Sequence, residues 1–263
     1  MYWSFVRGTT KTNGTVYEMS MVRGKKTVIA SDQQVWLRPE PGMRRPKHTR
    51  EMIAAAALRI ADSEGIDAVS MRRVAAELDA GTMTLYHYVS TKAELLALLF
   101  DAVIGELLVR EALPDDWRRA MQMIALRTRD SLMGHPWTLD IVGHTGGLGP
   151  NAVRHFEQSL QAVSSFDGTF ADKINIIALV DEYTFGYCKR CSGLEQELQD
   201  QGAVDEEFTY LRSLIDAGDF PQLEGLLQLG DMATMWNRSM EAMKDPGRFE
   251  RNLDRLLGSF TRQ

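Results

Sequence analysis

Only two cysteines, Cys188 and Cys191, occur in the 263 residues, so no disulfide framework supports the fold. No apolar run approaches the roughly 18 residues that a membrane span needs. The opening stretch Met1–Gly8 is too short for a secretory signal, and no small-residue cleavage site follows it. A cytoplasmic location without membrane association is therefore expected. The five histidines are scattered, and no second Cys pair joins Cys188 and Cys191, so no metal site is expected. Gly143–Gly149 is glycine-rich but lacks the Gly-Lys-Ser/Thr ending of a phosphate loop, and no Gly-x-Ser-x-Gly elbow occurs. No cofactor and no catalytic residue are expected. An alternating strand pattern is also missing after residue 45. What these absences leave is an all-α, non-enzymatic chain.

Hydrophobic residues make up 44% and charged residues 25% of the sequence, which is enough apolar material to bury two modest cores. The net charge is −6, but it is unevenly placed. Residues 1–92 hold 14 Lys/Arg and 9 Asp/Glu, and the remainder holds 16 and 27. A basic front on an acidic body directs a polyanion to one part of the molecule.

Three stretches divide the chain. Residues 1–43 form an extension rich in Gly, Thr and Ser. Its Asn13-Gly14 pair is a hairpin signal, and Thr27–Ala30 is a second short β-prone run; a small hairpin and an unstructured tail are both open. Met19, Met21 and Met43 are alternative starts. Arg38-Pro39-Glu40-Pro41-Gly42 reads as a linker. Residues 44–92 form the second stretch and residues 93–263 the third. Thr49 can cap a helix reaching Ser63, with Ile53, Ala56, Ala57 and Ile60 at helical spacing and Gly65 as its left-handed stop. Ser70 can cap a second helix that turns Val74, Ala75 and Leu78 inward. Asp79-Ala80-Gly81 is a tight turn. A short helix covers Thr82–Val89. Thr91-Lys92-Ala93-Glu94 is a capping box opening a helix to Ala112. Asp115 and Asp116 precede the next helix, and others are expected near 151–165, 169–199, 204–217, 231–243 and from Pro246.

The segment from Ser70 to Lys92 has the layout of a helix-turn-helix: two short helices, a glycine-bearing turn and a small core of Val74, Ala75, Leu78, Leu85 and Val89. Its second helix turns Thr82, Met83, Thr84, His87 and Tyr88 outward, groups able to enter a major groove. From Thr49 to Asp101, and above all in Thr-Leu-Tyr-His-Tyr-Val (84–89) followed by Thr-Lys-Ala-Glu-Leu-Leu (91–96), the chain strongly resembles the TetR family of helix-turn-helix transcriptional regulators. The resemblance implies an N-terminal three-helix DNA-binding domain and a C-terminal helical domain for ligand binding and dimerisation. It implies a homodimer on palindromic double-stranded operator DNA, most simply a repressor released by a small-molecule effector.

The resemblance also implies residue roles. Arg72 is placed to read guanine. Thr82, Met83 and Thr84 open the recognition helix. Tyr86, His87 and Tyr88 look like the family's phosphate-holding aromatic cluster, with a core role for Tyr86 equally open. Lys92, at a helix N-terminus, suits a phosphate, and Ser70 suits one too. Arg44, Arg45, Lys47, His48 and Arg50 form a basic arm, either laid on DNA or solvated. Met121, His135, Trp137, His144, Phe156, Tyr183, Tyr187 and Trp236 are candidate sensor-pocket residues, with plain core as the alternative. The helix 169–199 (Ile174, Ile177, Ala178, Phe185, Leu194) and the last helix (Phe249, Leu253, Leu256, Leu257, Phe260) are candidates for the dimer. Three other readings stay open: a TetR-like activator, a redox-responsive regulator in which Lys189 and Arg190 favour a thiolate at Cys188 or Cys191, and an all-α small-molecule-binding protein that ignores DNA.

Overall fold

The structure, a computed structural model, describes residues 34–41, 47–141, 149–197, 201–218, 220–228 and 230–260. Among them every regular element is helical. The hairpin and strand expected near Asn13 and Thr27, with Arg44, Arg45 and His144, lie outside the described residues. Contacts divide the chain into two units. One takes the described residues up to Leu108 together with Asp140–Gln158, and the other takes Val109–Leu139 with Ser159 onward.

In the first unit, α1 is Gln34–Leu37, α2 Arg50–Glu64, α3 Met71–Glu77, α4 Thr82–Tyr86 and α5 Lys92–Leu107. The main packing is α2 on α5, and α3 and α4 complete a small core. Ile53, Ala56, Ala57 and Ile60 of α2 meet the same core as Leu95, Leu98 and Leu99 of α5, all at 2% exposure or less. The alanines favour helix and keep the partner helix close. Thr49 caps α2 by accepting from the Met52 amide at 3.1 Å. Gly65 ends it with φ 86° and ψ 162°, a positive-φ geometry that glycine enters at little cost, though further extended than a left-handed helical stop. α5 belongs with this unit, whereas the sequence division at 92/93 assigns it to the sensor. It also stops at Leu107 instead of Ala112, because Leu108 turns extended (φ −64°, ψ 125°) and lets both Leu107 and Val109 stay buried.

The turn between α3 and α4 is a Schellman closure. The Ala80 amide donates to the Ala75 carbonyl at 2.9 Å and the Asp79 amide to Ala76 at 3.3 Å. This requires Asp79 at φ 48°, a region that side chains other than glycine enter with strain. α4 ends three residues earlier than its sequence pattern predicts. Tyr88 and Val89 both direct their amides to the Leu85 carbonyl at 2.9 Å, and the tightened turn puts both side chains inside.

The first unit also includes the start of α8, Pro150–Ala162. Asp101 of α5 caps it from fifty residues away. Its carboxylate accepts from the amides of Asn151 and Ala152 at 3.1 Å, and its backbone carbonyl accepts from Asn151 Nδ2 at 3.0 Å. Burial holds the Asp101 carboxyl above its ordinary range, and the two backbone amides oppose that shift only in part.

In the second unit, α6 is Trp117–Gly134, α9 Phe170–Glu197, α10 Gln201–Asp216, α11 Pro221–Leu227, α12 Met232–Lys244 and α13 Arg248–Gly258; α7, Thr138–Ile141, begins here and α8 ends here. Asp116 and Asp231 cap α6 and α12 through the amides of Arg119 and Thr234. α6, α9 and α13 pack on one another. Met121 and Ile124 of α6, Ile176 and Val180 of α9, and Phe249, Leu253 and Leu257 of α13 are almost wholly buried. Of the apolar stripe of the last helix, Phe249, Leu253 and Leu257 are buried within the chain, Leu256 and Phe260 are half-buried, and the face left to solvent carries Glu250, Arg251, Asp254 and Arg255.

Replacing Asp79 with Gly relieves the positive-φ strain and should raise stability by about 0.5–1 kcal/mol, read as a higher urea midpoint at unchanged slope. Asp79→Val should lower the midpoint.

Candidate nucleic-acid interface

The surface made by α3, α4 and the N-terminus of α5 carries most of the residues expected to meet DNA. Leu85 is wholly buried and anchors α4 against the core. Its neighbours therefore point out: Met83 is 73% and Tyr86 42% exposed, and Thr84 and His87 are exposed. Thr82 is half-buried. The two adjacent arginines of α3 differ sharply. Arg73 is held by Glu64 at 2.6 Å and Glu77 at 3.1 Å, with Glu77 also paired to Arg59. These bonds raise the Arg73 pKa and hold both carboxyls below their ordinary range. Arg72 is exposed and forms no hydrogen bond or ion pair with another described residue. Its five donors stay available to a base edge.

Ser70 caps α3 by accepting from the Arg73 amide at 3.2 Å, so its oxygen is already engaged. Thr91 caps α5 by accepting from the Glu94 amide at 3.1 Å. The returning Glu94 carboxylate reaches one residue beyond the cap, to the Ser90 amide at 2.6 Å. Lys92 is exposed at the first helical position, beside amides that have no intrahelical acceptor.

Two expected positions are corrected. Tyr88 does not face outward: it is 6% exposed, because the tightened end of α4 folds it inside. Arg50 does not lie in a basic arm. It opens α2, is 9% exposed, and spends its guanidinium on the carbonyls of Tyr88 at 3.2 Å and Arg38 at 2.7 Å. Burial lowers its pKa. Of that arm, Lys47 is exposed and His48 is buried. No residue pattern announces Arg50's role, since its acceptors are backbone carbonyls.

Residues 111–257 match the family described as "Tetracyclin repressor-like, C-terminal domain", and residues 53–99 match "Bacterial regulatory proteins, tetR family". The chain belongs to the TetR family. It is 33% identical over 195 residues to the HTH-type transcriptional repressor DrrR1 of Streptomyces coeruleorubidus, covering 72% of each chain. Among solved structures it is similar to apo ActR of Streptomyces coelicolor, with TM-score 0.61, 28% identity and 82% and 95% of the two chains covered. ActR in complex with actinorhodin gives TM-score 0.61 at 25% identity, covering 81% and 94%. This TetR-family chain is a transcriptional regulator with an N-terminal helix-turn-helix and a C-terminal helical domain.

The candidate sensor residues are less gathered. Phe156 lies in the first unit, and Met121, His135, Trp137, Tyr183, Tyr187 and Trp236 lie in the second. Met121 and Trp137 are buried. Tyr183 stacks on Phe249 at 5.2 Å and donates its hydroxyl to the Phe249 carbonyl at 3.0 Å, and Tyr187 meets the same ring edge-on at 4.9 Å. Trp236 packs against Phe208 at 5.7 Å. A cavity of about 570 Å³ in the first unit, walled partly by Trp36, Leu58 and Leu98, includes none of them.

Cys188 is wholly buried, and its thiol is pushed up to about 12, chiefly by burial. Lys189 and Arg190 are exposed, so they do not offset that burial, and the structure lends no support to a thiolate switch at Cys188. Iodoacetamide at pH 8 should leave Cys188 unmodified in the folded protein and label it in urea, as peptide mass spectrometry will report.

Proposed function

We propose that this TetR-family regulator is a ligand-responsive repressor that binds a palindromic operator as a homodimer, in the cytoplasm, and leaves it when a small molecule binds the C-terminal domain. The observation that carries the reading is the exposed set Arg72, Met83, Thr84, His87 and Lys92, held by elements that bury Met71, Val74, Ala75, Leu85 and Leu95 on their other side. Arg72 reads a base, most simply guanine through its two acceptors. Thr82 and Thr84 meet a base edge or a phosphate, Met83 a thymine methyl, and Tyr86, His87 and Lys92 hold phosphates.

One helix-turn-helix covers too few base pairs for tight specific binding, and two related by two-fold symmetry read half-sites one helical turn apart. α9 supports the dimer reading: Ala171, Asn175, Glu182 and Gly186 recur along a face left exposed, and α13 keeps Leu256 half-buried while its Phe249, Leu253 and Leu257 are used within the chain. Effector release is supported by the similar ActR, whose crystals hold actinorhodin. The effector must favour the released state by several kcal/mol to empty the operator, and α5, which directly follows the recognition helix, carries the change.

Selection of bound DNA from a random pool tests the reading. A palindromic site is expected, with affinity falling steeply as salt rises. Arg72→Ala should relax preference at one base pair in each half-site, at about 1–3 kcal/mol of discrimination. Lys92→Ala should weaken all sequences alike. Equal losses on every sequence from both variants contradict the assigned roles. Candidate effectors titrated against the selected duplex should lower operator affinity, and an effector that binds without doing so contradicts the release mechanism.

A further inference from the structure

Residues 34–41 precede the segment that matches the family's DNA-binding region, yet they are built into the head. α1 packs on α5, and its Val35 is wholly buried. Two routes run from this strap to the turn joining α4 to α5. The direct route is Arg38, which donates through Nη1 to Ser90 Oγ and through Nη2 to Glu94 Oε2 at 2.5 Å. The indirect route runs through Arg50. Its amide donates to Glu40 Oε1 at 2.8 Å, its Nη1 to the Arg38 carbonyl at 2.7 Å and its Nε to the Tyr88 carbonyl at 3.2 Å.

Both routes end within residues 88–94, between the recognition helix and the helix end that bears Lys92. Glu94 is the critical group there. Its side chain is 1% exposed, and its ion-pair partner among the described residues is Arg38. An unpaired carboxylate in the first turn of α5 would repel a phosphate approaching the amides of that turn. Paired with Arg38, it keeps its bond to the Ser90 amide while its charge is cancelled, and the charge of Lys92 is left to act on the phosphate.

We propose that residues 34–41 are a working part of the DNA-binding head, and that Arg38 is a positioning residue: it neutralises Glu94 and fixes the turn that sets α4 and the N-terminus of α5 against the duplex. The inference rests on the reading that α4 and this helix end face DNA. It makes operator affinity depend on a segment that precedes the helix-turn-helix in sequence.

The test uses the full chain and its selected duplex, with fluorescence anisotropy for affinity and thermal melting for stability. Arg38→Met should weaken binding about tenfold at low salt, equally on operator and random duplex. Adding Glu94→Gln to that variant should restore affinity to within about threefold, because a neutral acceptor still takes the Ser90 amide and needs no counter-ion. Unchanged affinity in Arg38→Met overturns the inference. So does a loss that Glu94→Gln does not repair and that follows the melting temperature, since that pattern marks a purely structural strap. If Arg38→Met does not fold, Glu94→Gln alone decides: affinity at or above wild type supports the charge argument, and a tenfold loss overturns it. Wild-type protein that selects no duplex overturns the underlying reading of α4, which the variant comparison would not.

Discussion

The turn behind the recognition helix depends on one buried carboxylate. Glu94 holds the turn after the recognition helix from inside, accepting from Ser90 and Arg38 while its own amide is capped by Thr91. Removing a partner from a buried, hydrogen-bonded charge is costly, because the remaining group keeps its desolvation penalty. The helix-turn-helix therefore does not stand alone as a local motif. Its last turn is fixed by residues that precede it by fifty positions in sequence, and the exposed reading surface follows from what is buried beneath it.

That surface combines rigid placement with unspent chemistry. Leu85, Tyr88 and Val89 are buried and fix α4 in rotation about its axis. The neighbouring side chains then have one direction left to them, outward. Arg72 and Arg73 show the same logic within a single turn of α3. One guanidinium is consumed by two carboxylates on the protein surface, and the adjacent one, about 100° further round the helix, keeps its donors.

Much of this was legible in the sequence because capping is local chemistry. Thr49, Ser70, Thr91 and Asp116 each accept from the amide three residues ahead, within a hydroxyl's or carboxylate's reach. The long helices also announced themselves by their periodicity. Tyr88 was misread because helical spacing was extended past Tyr86, where the chain tightens. Arg50 was misread because an arginine beside other basic residues gives no sign that its acceptors are carbonyls at positions 38 and 88. The stripe on the last helix was legible as a stripe, but periodicity cannot say whether the surface it packs on belongs to the same chain. The sensor candidates suffered similarly: aromatic residues such as Tyr183 and Tyr187 satisfy one another and Phe249 without leaving a composition signal that separates core from pocket.

The cap that Asp101 places on α8 also acts as a register lock. Gly149 lies so close to this carboxylate that even a methyl group there has no room, and a Cβ at Gly105 would meet Asn151 Nδ2 at 2.8 Å. With each glycine this near the facing side chain, a slide of α5 by one turn, about 5.4 Å, would strand two amides and drive the carboxylate out of its niche. The junction thus ties α5 to the start of α8, and a graded slippage between them is the motion it opposes.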